Sequence, residues 1–187
     1  MTNIQTFTNL DPKPFEPAKT VGLISDTHVP NRATSIPQQV FESFKNVDYI
    51  IHAGDLVELS VIDVLEQAAP VLAVQGNMDT QAVKDALPEL NSLKVLDWKI
   101  GVMHDPDVLN GTDKMEYIAK ENGFNVLVYG HTHNSRIRWE GEVLYINPGS
   151  PTDPSSFLNK PSVGLLHITK KTITPQIINL QPIKVDQ

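Results

Sequence analysis

Short apolar runs recur along the chain, and each gives way at once to Gly, Ser, Asp, Asn or His. Val21-Gly22-Leu23-Ile24 leads into Ser25-Asp26-Thr27-His28. Val47 to Ile51 leads into His52-Ala53-Gly54-Asp55, and Val71-Leu72-Ala73-Val74 into Gln75-Gly76-Asn77-Met78-Asp79. Lys99-Ile100-Gly101-Val102-Met103 delivers His104-Asp105, and Val126-Leu127-Val128-Tyr129 delivers Gly130-His131-Thr132-His133. Runs this short, rich in branched and aromatic residues, predict buried strands rather than helices. A strand that ends directly in polar side chains is how α/β folds present chemistry at the carboxyl edge of a sheet.

Helical spacing fills the gaps between these runs. Ile36 to Lys45 puts Val40, Phe41 and Phe44 on one side, with Pro37 suited to the first turn. Ser60 is placed to cap a helix over Val61, Ile62, Val64 and Leu65 that stops before Pro70. Asp79 or Thr80 can cap another, to about Leu87, and Thr112-Asp113 opens one that closes at Asn122-Gly123. Ser92 to Leu96 and Lys99 to Met103 read as consecutive strands. After His133 the alternation gives way to strands alone. Arg136 to Trp139 and Glu142 to Ile146 flank a turn at Glu140-Gly141, and Asn147-Pro148-Gly149-Ser150 forms another strand-end loop. Ser162 to Thr169 and Thr172 to Leu180 make a last pair, joined near Lys170-Lys171. The pattern predicts one α/β (α+β) domain over residues 20–187, with two packed sheets and helices on their outer faces. Residues 1–19 stand apart as a proline-punctuated extension through Asp11-Pro12-Lys13-Pro14-Phe15-Glu16-Pro17.

Composition narrows the chemistry. The 187 residues suffice for one well-buried domain and are short for two. With 40% hydrophobic and 20% charged residues the chain has the balance of a soluble globular protein. No apolar run approaches the roughly 20 residues that span a bilayer, and the opening residues lack the marks of a secretory signal. A cytoplasmic location is the default expectation. The absence of cysteine excludes disulfides and thiolate metal sites, so any metal must be held by His, Asp, Asn or Glu. A formal net charge of −7 argues against a broad electrostatic footprint for nucleic acid as a partner, without excluding anionic substrates. Bound divalent cations would reverse the field in a pocket while the remaining surface stays acidic. Self-association is left open.

The strand ends carry Asp26 and His28, Asp55, Asn77, His104, His131 and His133, and Asn147. A catalytic divalent ion takes several nitrogen or oxygen ligands and keeps a position open. Two such ions about 3.5–4 Å apart need a bridging ligand, normally a carboxylate, and can share a hydroxide aimed at phosphorus. Asp55 is the natural bridge. Glycines before Asp55, Asn77 and His131 let the backbone turn sharply and approach the ions. In extended backbone, His131 and His133 would leave one face side by side.

Asp26-x-His28, Gly54-Asp55, Gly76-Asn77, His104 and Gly130-His131-x-His133, in that order, resemble the motifs of the calcineurin-like metallophosphoesterases. The small single-domain phosphodiesterase branch is the nearest likeness, through Ser25-Asp26-Thr27-His28, Gly76-Asn77-x-Asp79 and Asn147-Pro148-Gly149-Ser150. The resemblance covers roughly residues 20 to 170. It implies a four-layer β-sandwich flanked by helices and a phosphodiesterase using two divalent ions, manganese foremost, with iron, zinc and nickel accepting the same ligands. It places one ion on Asp26, His28, Asp55 and His133, and the other on Asp55, Asn77, His104 and His131. Asp55, Asn77 and His52 are then the candidate catalytic residues, and Arg32 and Asn77 the candidates for holding substrate.

Two positions depart from the family pattern. Met78 stands where larger members place a proton-donating histidine, so leaving-group activation falls to metal-bound water or to His52. Asp105 stands where glycine commonly follows the family's histidine. Bland readings weigh against other residues: His52 can be a core histidine, and Arg32, Arg136 and Arg138 can be solvated surface arginines. A non-catalytic alternative also exists, because the small subunit of the retromer coat resembles this branch in fold and serves as an interaction platform. Substrate selectivity is expected from the loops Val29 to Ser35 and Asp105 to Gly111.

Overall fold

A computed structural model describes residues 18–105, 113–155 and 159–181. The chain runs β1 (Lys19–Ile24), α1 (Gln38–Ser43), β2 (Tyr49–His52), α2 (Ser60–Leu65), β3 (Val71–Ala73), α3 (Gln81–Ala86) and β4 (Leu90–Val95). It continues through β5 (Trp98–Met103), α4 (Asp113–Asn122), β6 (Val126–Val128), β7 (Arg136–Glu140), β8 (Val143–Asn147), β9 (Ser162–Ile168) and β10 (Ile173–Asn179). Ten strands form two sheets, ordered β10-β9-β1-β2-β3 and β4-β5-β6-β8-β7. The expected sandwich of two sheets with helices outside is what the chain adopts.

Side-chain alternation builds the layers. In β1, Val21 and Leu23 face the core between the sheets, together with Ile51, Val102, Val126, Val128, Leu144 and Ile146. Ile24 and Ile50 face the other way, onto Val40 of α1, Phe44 just after it, and Val61 and Leu65 from α2. On the outer face of the second sheet, Leu127 and Tyr145 pack against Met115 and Ala119 of α4 and against Phe124. Strands covered on both faces have no polar side to show water, which is why β2 and β6 read as unbroken apolar runs.

Each sheet contains three adjacent parallel strands, β1-β2-β3 running to the edge of one and β5-β6-β8 at the centre of the other. Parallel strands finish at a common edge, so the loops after β1, β2 and β3 emerge side by side. Those after β5, β6 and β8 do the same. The two sheets present these edges together, as the hydrogen bonds described below establish.

Element boundaries differ from the sequence reading in places with clear causes. β1 already includes Lys19, the last residue of the expected extension, because its backbone pairs with Ile168 and its ammonium lies 2.6 Å from Asp48 Oδ1. The remainder of that extension, residues 1–17, lies outside the described residues, as do residues 106–111 of the expected selectivity loop. α1 is shorter than Ile36 to Lys45, since Pro37 stays extended at ψ 138° and precedes the helix instead of entering it. Ser60 does not cap α2. It lies within the helix, and its hydroxyl donates to Glu58 at 3.3 Å.

Packing around Gly101 shows how closely the outer layer fits. A Cβ at this position would stand 2.3 Å from the ring of Phe124, whereas one at Gly22 would meet the Phe44 ring at 3.0 Å. Gly101→Ala is therefore expected to destabilise the fold by about 1–3 kcal/mol, and by more than Gly22→Ala. Urea unfolding of the two variants checks the order.

Candidate metal centre

The loops that leave the parallel strands hold unusual backbone. Asp26 (φ 53°), His28 (φ 46°), Asp55 (φ 56°), His131 (φ 69°) and His133 (φ 53°) all occupy the left-handed region. For residues with a Cβ this conformation costs about 1–3 kcal/mol each and persists only where surroundings enforce it. The enforcement is visible. Asp26 N–H donates to Gly54 O and His28 N–H to Asp55 O, each at 3.0 Å, which zips the first loop onto the second. Gly130 N–H donates to His104 O at 2.9 Å and fixes the fifth-strand loop beside the sixth. These positive dihedrals cluster on the candidate ligands, which periodicity in the sequence could not reveal.

The side chains sort into two groups. In one, His28 Nε2 and His133 Nε2 lie 3.1 Å apart, with Asp26 Oδ1 3.4 Å from the latter. In the other, Asn77 Oδ1 lies 3.0 Å from both His104 Nε2 and His131 Nδ1, and Asp55 Oδ2 lies 3.2 Å from His104 Nε2. Asp55 Oδ2 also stands 3.8 Å from His28 Nε2, so one carboxylate oxygen faces both groups. His131 and His133 diverge: the first ring stands edge-on to His104 with centroids 5.4 Å apart, the second is tilted against His28 at 5.0 Å.

Electrostatics of the pair of carboxylates are opposed. Burial pushes the Asp26 carboxyl above its ordinary range, against the pull of His104, the Ser25 hydroxyl and His133. Burial also pushes Asp55 upward, but the hydrogen bond and charge of His104 and the Met78 N–H outweigh it and leave Asp55 below its ordinary value. Burial would lower His104, yet its bond to Asp55 and the charges of Asp26 and Asp55 raise it to about 9. Acidic oxygens and imidazoles thus hold one another in a buried knot.

Neighbouring groups aim the ligands. His104 Nδ1 lies 2.8 Å from Ala53 O and His133 Nδ1 2.5 Å from Asp153 O, contacts that put the proton on Nδ1 and turn Nε2 toward the cluster. Both oxygens of Asp26 accept from His131 N–H at 3.1 Å, and Oδ2 also takes the Ser25 hydroxyl at 2.5 Å. Asp79 accepts from Val57 N–H at 2.5 Å and Gly76 N–H at 2.6 Å, tying the loops after β2 and β3 together.

The segment after β8 does the most bracing. Asn147 Nδ2 donates to Gly130 O at 2.8 Å and to Thr132 Oγ1 at 3.1 Å, while its Oδ1 accepts from Gly149 N–H at 2.8 Å. Ser150 Oγ donates to Asp26 O at 2.7 Å, and Thr152 Oγ1 to Thr27 O at 2.8 Å. One stretch thereby clamps the β1 loop in one sheet and the β6 loop in the other. Asp153, absent from the sequence reading, also places Oδ2 3.2 Å from His133 Nδ1. Nothing local marked it, since His133 and Arg32, the side chains it braces, lie 20 and 121 residues away in the chain.

Arg32, a candidate for substrate binding, pairs with Asp153 and so has its guanidinium engaged beside the cluster. His52 is fully buried, with Nε2 3.1 Å from Thr27 Oγ1. Burial first, then the charge of His104, lowers it to about 3, so it is neutral and shielded. Met78 is exposed, and Asp105 stands 3.8 Å from His131 Nε2.

A test of fit to metal follows from the spacing. Ligand atoms about 2.0–2.2 Å from one ion stand roughly 3.0–3.5 Å apart, and the contacts within each group fall at 3.0–3.4 Å. Asp26, His28 and His133, and likewise Asp26, Asp55 and His104, offer ligand atoms within 4.8 Å of one another. The donor set is nitrogen and oxygen throughout, as divalent ions of the first row accept. The residues fit.

Residues 20–171 match the model of the calcineurin-like phosphoesterase superfamily domain. The chain belongs to that superfamily. A probable metallophosphoesterase of Methanothermobacter thermautotrophicus is 40% identical over 159 residues, which cover 84% of this chain and 91% of that protein. A phosphodiesterase of Methanocaldococcus jannaschii is 32% identical over 161 residues, 81% of this chain and 94% of that one. Among solved structures, vacuolar protein sorting 29 of Cryptosporidium parvum superposes with a TM-score of 0.78 at 25% identity, covering 89% of this chain and 94% of its own. No helix among the described residues of this metallophosphoesterase is long and apolar enough to cross a membrane.

Asn147 is completely buried and its amide serves three partners. Asn147→Ala strands the Gly130 carbonyl and the Gly149 N–H in a dry site. We expect a loss of about 2–4 kcal/mol in urea unfolding, one to two unmet buried groups. A loss below the cost of a surface substitution would mean that the clamp does not bear on the fold.

Proposed function

We propose that this metallophosphoesterase hydrolyses a small phosphodiester with two divalent ions held at the converging strand ends. The observation that carries the proposal is the division of four imidazoles into two groups with Asp55 Oδ2 facing both. Asp26, His28, Asp55 and His133 would hold one ion, and Asp55, Asn77, His104 and His131 the other, manganese being the first choice. Bound there, the ions supply Lewis acidity toward a phosphoryl oxygen and a water acidic enough to serve as nucleophile at neutral pH.

The chain's own residues do the rest. The bonds from Ala53, Asp153 and the β6 loop hold His104, His133 and Asp26 in place before substrate arrives, which limits the reorganisation that accompanies binding. Asn77 is exposed at the mouth, where it can meet substrate as well as metal. Arg32 stands beside the same mouth, and a guanidinium that holds Asp153 through Nη1 has further N–H donors with which to meet a phosphate. Neither Met78 nor the buried, neutral His52 delivers a proton to a departing oxygen. Substrates that leave as weakly basic anions are therefore favoured.

A second reading draws on the likeness to vacuolar protein sorting 29: the same fold serving as a binding scaffold. A scaffold has no need to keep Asp26, His28, Asp55, Asn77, His104, His131 and His133 together. Their convergence here favours the enzyme.

Metal-stripped protein should be inert toward an aryl phosphodiester and regain turnover with manganese, while an alkyl phosphomonoester turns over far more slowly. Folded protein that hydrolyses neither ester with any divalent ion would leave only the scaffold. Asp55→Asn should abolish turnover and release at least one metal per chain while unfolding remains cooperative, as read by atomic emission and circular dichroism. Normal turnover in that variant would rule out the two-ion arrangement.

A further inference from the structure

The two sheets have four edges between them, and three of these are blocked or short. β10 carries Pro175, which cannot donate to a further strand. β3 spans only Val71–Ala73, and β4 packs against it. β7 is different. Its five residues, Arg136-Ile137-Arg138-Trp139-Glu140, contain neither Gly nor Pro, and among the described residues only β8 pairs with it.

Register with β8 sets its two faces. Ile137 stands opposite Ile146 and Trp139 opposite Leu144, on the side that elsewhere makes the core between the sheets. Yet Ile137 is 39% and Trp139 49% exposed. Arg136, Arg138 and Glu140 share the other face, with Arg138 paired to Glu140 and its guanidinium 4.6 Å above the Tyr145 ring. An unpaired edge strand with one exposed apolar face is a template for another strand.

The strand is complementary to itself. Laid antiparallel to a second copy with the two-fold axis at Arg138, Arg136 meets Glu140, Ile137 meets Trp139, and each of these pairs occurs twice. Every outward N–H and C=O in the overlap then finds a partner. The four apolar side chains form one patch, and each Glu140 sits between its own Arg138 and the other copy's Arg136. A shift by one residue would set Ile or Trp against charge. The single like-charged juxtaposition, Arg138 on Arg138, is tempered by the Glu140 pair and the Tyr145 stack that each arginine already has.

We propose that β7 is the docking edge for a second copy of this chain, joining the two β4-β5-β6-β8-β7 sheets into one continuous sheet in the register centred on Arg138. A single strand pair buries less than the roughly 1,000 Å² of a tight interface, so the association is weak and concentration-dependent. It leaves the candidate metal ligands untouched and stands or falls independently of the reaction proposed above.

Sedimentation equilibrium on the full chain tests it. The wild-type mass should climb from 20.7 kDa toward twice that value between micromolar and millimolar protein. Arg136→Glu and Glu140→Arg each turn two attractive pairs repulsive and should raise the dimer dissociation constant about tenfold or more. The double variant R136E/E140R restores the pairing and should return to within about threefold of wild type. The chain has no cysteine, so R138C also reports register: Cα atoms opposite each other lie about 4.5–5.5 Å apart, within disulfide reach. R138C should cross-link to a dimer under mild oxidation, and I137C should not. A chain that stays monomeric throughout, a dimer indifferent to both charge reversals, or cross-linking through I137C and not R138C would overturn the proposal. A β7 that serves a strand of some other protein would register as the first of these.

Discussion

Everything at the strand ends depends on backbone being held where a residue with a Cβ resists it. Asp26, His28, Asp55, His131 and His133 each occupy left-handed dihedrals, and no local preference of Asp or His puts so many there together. Parallel strands bring the loops to one edge, inter-loop hydrogen bonds zip them, and the Asn147–Asp153 segment bolts the β1 loop to the β6 loop across the sandwich. The apolar layers supply the free energy that this arrangement consumes. Rigidity is the functional return, because donors already aimed at a point lose little entropy when an ion or substrate arrives.

Charge follows the same logic. Two buried carboxylates and a ring of imidazoles would be costly to assemble unless they neutralised one another or a cation. His104, raised to about 9 between Asp26 and Asp55, shows the first solution. The spacing of the donors shows readiness for the second. An overall charge of −7 would be no obstacle to an anionic substrate once bound divalent cations set the local field.

Much of this was legible in the sequence, for a physical reason. Strand interiors buried on both faces must be apolar and strand ends at a site must be polar, so runs such as Val126 to Val128 followed by Gly130 to His133 announce both at once. What was hidden acts through space. Asp153 braces His133 across 20 residues of chain, and of Asp79 and Thr80, the two cap candidates for α3, Thr80 takes the N-cap position while Asp79 ties two loops by accepting Val57 and Gly76 N–H groups. Ser60 resembled a cap because spacing alone cannot see that Glu58 competes for its hydroxyl. His52, flanked by candidate chemistry, turned out to be buried and neutral, a fate decided by desolvation rather than by neighbours in sequence. Extended backbone was the wrong premise for His131 and His133, whose positive φ values send the two rings to different partners.

The most direct test of the two-ion centre is a calorimetric titration of metal-free, folded protein with manganese, with bound metal counted after dialysis. Two ligand groups that share Asp55 require two equivalents per chain, with turnover of an aryl phosphodiester appearing only as the second is bound. Saturation at one equivalent, or full turnover at one, would contradict the shared-carboxylate arrangement.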